Sequence, residues 1–74
     1  MVGRVYIRRN NIEWVAHDPM ENLLTISFMS GSLCTFGGFP VPAYEEFLRA
    51  HSQAEYLIQK IRGRYPLTLG KGHQ

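Results

Sequence analysis

Residues 23–29 read LLTISFM, and their alternation constrains the fold more than any other feature of the chain. Leu24, Ile26 and Phe28 fall on one side of an extended chain and Thr25 and Ser27 on the other, the period of a half-buried strand. Ser30-Gly31 follows at once and SLCTF returns, which predicts a hairpin. A two-residue turn would set Leu33 and Thr35 opposite Phe28 and Ile26. A type I turn with a glycine bulge adds one residue and sets Cys34 and Phe36 there instead. Gly31 suits the left-handed position of that bulge, and Phe36 then joins the apolar face, so the bulged form is favoured. A slip of one residue would reverse the faces.

The flanking segments extend the sheet. RVYIRR, 4–9, is rich in β-branched and aromatic residues and reads as a short strand. Asn10-Asn11 is a turn signal. IEWVAHD, 12–18, predicts a second strand with Ile12, Trp14 and Ala16 on one side and Glu13, Val15 and His17 on the other. DPMEN, 18–22, is a turn with Pro19 at its first corner. GGFPVP, 37–42, stops the sheet, and Pro42 suits the first position of a helix. That helix carries Tyr44, Phe47 and Leu48 at burial spacing. Ser52-Gln-Ala-Glu55 is a capping box for a second helix, with an apolar stripe of Ala54, Leu57, Ile58 and Ile61 and with Gly63 as its left-handed cap. The expected fold is α+β: a three- to four-stranded antiparallel β-meander followed by two short α-helices. Residues 1–66 are expected to form the domain and 67–74 a flexible tail.

Composition supports a single small globular domain. The chain has 74 residues, 45% of them hydrophobic and 12% aromatic, too apolar for a disordered segment. A domain of this size buries only about 60% of its unfolded surface. No apolar run approaches the roughly 18 residues of a membrane span. MVGRVYIRRNN lacks the apolar centre of a signal peptide, and the single Cys34 cannot form an internal disulfide, so a cytoplasmic location is expected.

Charge is segregated along the chain. Residues 1–9 and 60–74 hold seven cations and no acid, whereas residues 10–59 hold one cation and six acids. If the ends met they would form one basic face on an acidic body, the footprint of a phosphate-binding surface. Terminal cations also serve solubility, and both readings stand. KIRGRYP, 60–66, carries the same ambiguity. Lys60 and Arg62 in a last helical turn favour the helix dipole, Gly63 caps, and Tyr65 packs back. Alternatively Arg62 and Arg64 contact phosphates while Tyr65 stacks on a base. Arg4 and Arg8 share a strand face, as a second phosphate patch or as guards of an edge strand. Trp14, Phe36, Phe39 and Tyr44 are assigned to the core, since exposed rings beside cations would instead make a stacking platform.

Catalysis and cofactors are not signalled. Cys34 and His51 have no pattern tying them together, and His17, His51 and His73 lack metal-ligand spacing. Gly37-Gly38 is a turn dipeptide without a phosphate-loop lysine. No metal, cofactor, membrane or small-molecule substrate is expected, and the oligomeric state is left open.

The order L-x-I-x-F-x-x-G, a strand, F-P-V-P, A-x-S and Y-x-x-x-x-I-R-G-R-Y-P resembles the KTSC domain over about residues 3–66. The positions that carry it are Leu24, Ile26, Phe28, Gly31, Pro42, Ala50, Ser52, Tyr56, Ile61, Arg62 and Tyr65. That family is named for the lysyl-tRNA synthetase C-terminal extension in which it occurs, and it includes small stand-alone bacterial and phage proteins. The family's central Tyr-x-Tyr is Cys34-Thr35-Phe36 here, and its glycine after A-x-S is Ala54. The synthetase context implies RNA, possibly tRNA. The expected function is therefore a non-enzymatic nucleic-acid-binding module using Arg62, Arg64, Arg8, Arg4, Lys60 and Tyr65. The alternative is a protein-interaction module, phage- or prophage-encoded, that binds a host protein. An exposed patch of Phe39, Val41 and Tyr44 would favour it.

Overall fold

A computed structural model describes residues 3–68. Its strands β1 (Arg4–Arg9), β2 (Ile12–Asp18), β3 (Leu23–Phe28), β4 (Leu33–Phe36) and β5 (Leu67–Thr68) form one antiparallel sheet in chain order. Between β4 and β5 run α1 (Val41–Arg49), a single α-helical turn α2 (Gln53–Tyr56) and a π-helical segment, Leu57–Ile61. This is the expected α+β meander with two short helices and one strand more. The extra strand is β5: Leu67 and Thr68, in the segment expected to be a tail, pair with Phe36 and Thr35 of β4. The rest of that expected tail lies outside the described residues.

Local chemistry makes each turn. Asn10 and Asn11, at φ +52° and +71°, form a two-residue mirror-image turn between Arg9 and Ile12. Asp18 Oδ1 accepts from the amide of Met20 at 3.0 Å. In the next hairpin Gly31 sits at φ +103°, and its amide donates to the Phe28 carbonyl while the Phe28 amide donates to that of Ser32. This is the bulged type I turn, closed on three residues. Ile26 therefore lies opposite Cys34, and Leu24 opposite Phe36. The faces are those expected, but the pairing is displaced by two residues, because the loop closes on Phe28 and Ser32.

The second strand departs from simple alternation. β1 carries one extra residue between Tyr6 and Arg9, and β2 carries one between Ile12 and Trp14 relative to β3. Side-chain direction reverses across the step. Ile12, Val15 and His17 face the core, whereas Trp14 and Ala16 point to the other face, paired with Ser27 and Thr25. The expected grouping of Ile12 with Trp14 is corrected accordingly.

One face of the sheet is roofed by the helices. Val15, Leu24, Ile26 and Phe36 pack with Phe39, Phe47, Leu57 and Ile61. Pro40 is the N-cap of α1, so Pro42 takes its second position rather than its first. The buried Gln53 Nε2 donates to the carbonyls of Phe47, Leu48 and Ala50, closing the C-terminal end of α1. Ser52 Oγ accepts from the Glu55 amide, as the capping signal predicts. The second helix then widens, with the Arg62 amide donating to the Leu57 carbonyl five residues back. Leu57 and Ile61 stay in the core, but Ile58 is 60% exposed, a correction to the expected stripe.

At the opposite end of the sheet His17 acts as a strut. Its Nε2 donates to the Phe39 carbonyl, since a carbonyl only accepts, and its ring stacks on Tyr44 at 4.8 Å. The Phe39 amide donates to Asn22, and the Gly37 amide donates to Pro66. Among the described residues no helix is long and apolar enough to cross a membrane.

Phe47 is fully buried, so Phe47→Ala is expected to remove about 3–5 kcal/mol of stability. Ile58→Ala at an exposed site should stay within about 0.5 kcal/mol. Urea denaturation monitored by Trp14 fluorescence checks both.

Candidate nucleic-acid interface

The face of the sheet away from the helices is built from two cross-strand rows. One runs Tyr6, Trp14, Ser27, Leu33, and the other Arg4, Ala16, Thr25, Thr35, Thr68. Thr25 and Thr35 hydroxyls meet at 3.4 Å, and the Thr68 hydroxyl donates to the Thr35 carbonyl at 3.0 Å. Tyr6 and Leu33 are each half exposed, and Trp14 is partly so. The Arg4 guanidinium lies over the Trp14 ring, 4.1 Å from its centroid, and that of Arg8 lies over Tyr6 at 5.0 Å. Two aromatic rings and two cations therefore share one uncovered β-surface.

Trp14 is the residue that sequence reasoning misassigned. Alternation places it with Ile12, and only the paired bulges turn it outward. Arg8 at φ +52° marks the β1 bulge, and a non-glycine residue in that conformation leaves no pattern in the sequence. Phe36 and Phe39 are buried as expected, and Tyr44 is half-buried against His17. With Phe39 buried and Tyr44 stacked, the patch of Phe39, Val41 and Tyr44 that would favour a protein partner does not form.

The second basic group lies at the helix end. Lys60, Arg62 and Arg64 are exposed. Gly63 takes φ +81°, and the amides of Arg64 and Tyr65 both donate to the Ile61 carbonyl. Tyr65 is half-buried and meets Phe39 edge-on, with centroids 4.7 Å apart, so its ring is engaged in packing. β1 and β5 occupy opposite edges of the sheet, separated by four strand spacings, about 19 Å. The cations sit on two parts of the fold: Arg4 and Arg8 on the open sheet face, and Lys60, Arg62 and Arg64 at the end of the π-helical segment. Arg62 does approach the β1–β2 turn. It borders, with Asn10 and Asn11, a cleft of about 490 Å³ floored by Ile12, Phe28, Cys34 and Phe36.

Two phenols have raised pKa values. Burial pushes Tyr44 above its ordinary 10.0. Tyr56 is raised first by burial and then by Glu46, whose Oε1 accepts its hydroxyl at 3.0 Å. Among the described residues no three metal-ligating side chains cluster.

A family model described as the KTSC domain matches residues 9–65. The chain belongs to the KTSC domain family. Its fold is also that of a KTSC domain protein from Yersinia pestis, whose crystal structure superposes with a TM-score of 0.84 at 22% identity, covering 92% of this chain and 96% of that one. A search of curated proteins gave no match. Among the positions that resemble the KTSC pattern, Leu24, Ile26 and Ile61 are core, Gly31 and Ser52 make a turn and a cap, and Arg62 is exposed.

Arg4→Ala should change Trp14 emission and lower stability by about 0.5–1 kcal/mol, the range of an exposed cation–π contact, read by fluorescence during denaturation. Because the folded state favours neutral Tyr56, its contribution holds below the ordinary phenol range and is lost as pH rises through the raised value. Glu46→Gln should move the Tyr56 pKa back toward 10.0, as followed by tyrosinate absorbance.

Proposed function

We propose that this KTSC protein is a small non-enzymatic module that binds single-stranded RNA on the open face of its sheet. The observation that carries the reading is the pairing of Trp14 and Tyr6 with Arg4 and Arg8 on a surface no helix covers. Bases stack on the two rings while the guanidiniums, swung outward, take the flanking phosphates. The exchange is energetically favourable: a base on an aromatic ring contributes about 1–3 kcal/mol, against roughly 0.5–1 for the exposed cation–π contact it replaces. The half-buried Tyr65 is the weaker stacking residue, and the synthetase extension behind the family name supports RNA over DNA. A cytoplasmic location belongs to the same proposal.

Salt dependence separates the two basic groups. Contacts from Arg4 and Arg8 alone give a log–log slope near −1.4 on a single strand, while adding Arg62 and Arg64 steepens it to about −3. Anisotropy of labelled single-stranded RNA and tRNA, titrated at two salt concentrations, reads this slope. Quenching of Trp14, the sole tryptophan, reports on the stack. Trp14→Ala is expected to weaken binding about ten-fold or more, and Arg4→Ala/Arg8→Ala likewise, in folded protein. Arg62→Ala/Arg64→Ala should matter less. An absence of binding at low salt, or binding indifferent to Trp14, would refute the reading.

A further inference from the structure

The cleft on the helical layer has no part in that reading, and its construction points to a ligand of a different kind. Its volume of about 490 Å³ falls within the roughly 300–1,000 Å³ typical of small-molecule sites. Phe28 and Cys34 contribute to its floor, and Leu57 and Ile58 to its wall. Its rim carries Arg62 with Asn10 and Asn11, and among the described residues no carboxylate lines it. We infer that the cleft binds an amphipathic monocarboxylate, with the apolar tail between the sheet and the π-helical segment and the carboxylate on the Arg62 guanidinium.

Two features support that occupant. First, charge and shape agree: one guanidinium fork with two carboxamides beside it matches a single planar carboxylate, and the apolar walls require an apolar body. Second, the wall itself is an irregular helix. The five-residue hydrogen bond from Arg62 to Leu57 keeps Leu57 and Ile61 in the core and leaves Ile58 60% exposed on the cleft. Leu67 is also left 48% exposed at its margin. π-helical turns are rare and concentrate at functional sites, and here Leu57 and Ile58 of the turn form one wall of the apolar space. A tail in the cleft covers both Ile58 and Leu67.

The test is a homologous series. Octanoate and decanoate are titrated into the full chain by calorimetry, with amide chemical shifts locating the site. Decanoate is expected to bind roughly ten-fold tighter than octanoate, for two further buried methylenes. Shifts should concentrate at Leu57–Gly63 and Cys34, and decanoate should slow alkylation of the Cys34 thiol. Arg62→Gln should weaken decanoate about ten-fold and leave decanol unchanged. Ala54→Leu, which narrows the cleft, should weaken both. Should Ala54→Leu fail to fold, the exposed Arg62→Gln still decides the matter.

Equal affinity of decanoate for wild type and Arg62→Gln, shifts on the open sheet face instead, or no binding at millimolar concentration would each overturn the inference. So would tighter binding of an apolar peptide with a free C-terminus, which would make the cleft a peptide site. RNA binding is read at Trp14 on the other face, so failure of one proposal leaves the other standing.

Discussion

Two extra residues, one in β1 near Arg8 and one in β2 near Glu13, determine the character of both layers. Because strand side chains alternate with period two, these bulges let Ile12 stay inside while Val15 and His17 follow it there and Trp14 turns out. An unbulged β2 would bury Trp14 and expel His17. Holding Arg8 at φ +52° costs about 1–2 kcal/mol, whereas burying Val15 alone contributes about 1.5–3. The irregularity is therefore affordable on packing grounds, and it is also what creates an aromatic surface on the uncovered side.

The two ends of the sheet differ because they are closed differently. At one end His17, Asn22 and Pro66 hold the Gly37–Phe39 segment by hydrogen bonds, and Phe39 fills the gap completely. At the other, past the Asn10-Asn11 turn and the Gly31 hairpin, the π-helical segment leaves the cleft. His17 stacks on Tyr44 at the sealed end, while Tyr65 meets Phe39 edge-on and also lines the cleft, so its ring bridges the two ends.

Much of this was legible in the sequence where one residue dictates one local geometry. The alternation of Leu24, Ile26 and Phe28, the glycine of the 31 turn, the Ser52 cap and the family pattern each predicted what the structure contains. Features that depend on partners distant in sequence were not legible. Nothing in IEWVAHD discloses that β1 will bulge beside it, so Trp14 read as core. LT at 67–68 signals a strand only once the β4 edge it pairs with is known. Gln53, an ordinary polar letter inside a capping box, turned out to cap the preceding helix. The cations at 4, 8, 60, 62 and 64 were legible as residues, but their placement on a sheet face and at a helix end was not, since it follows from the tertiary fold.

That strand order has a kinetic corollary. Every pairing in the sheet joins neighbours in the chain except β4 with β5, where Thr68 meets Thr35 across both helices. Closing so long a loop removes more chain entropy than any hairpin pairing in the sheet does. The β4–β5 pairing is accordingly expected to form after the hairpins during folding, and Tyr65 and Pro66 are adjacent to β5 in the chain. Its detachment would uncover the β4 edge and loosen the margin of the cleft at Leu67 in one motion. The far edge of the open face and the rim of the cleft are thus joined through Thr68 and Leu67 of one strand, so opening of that strand would alter both together.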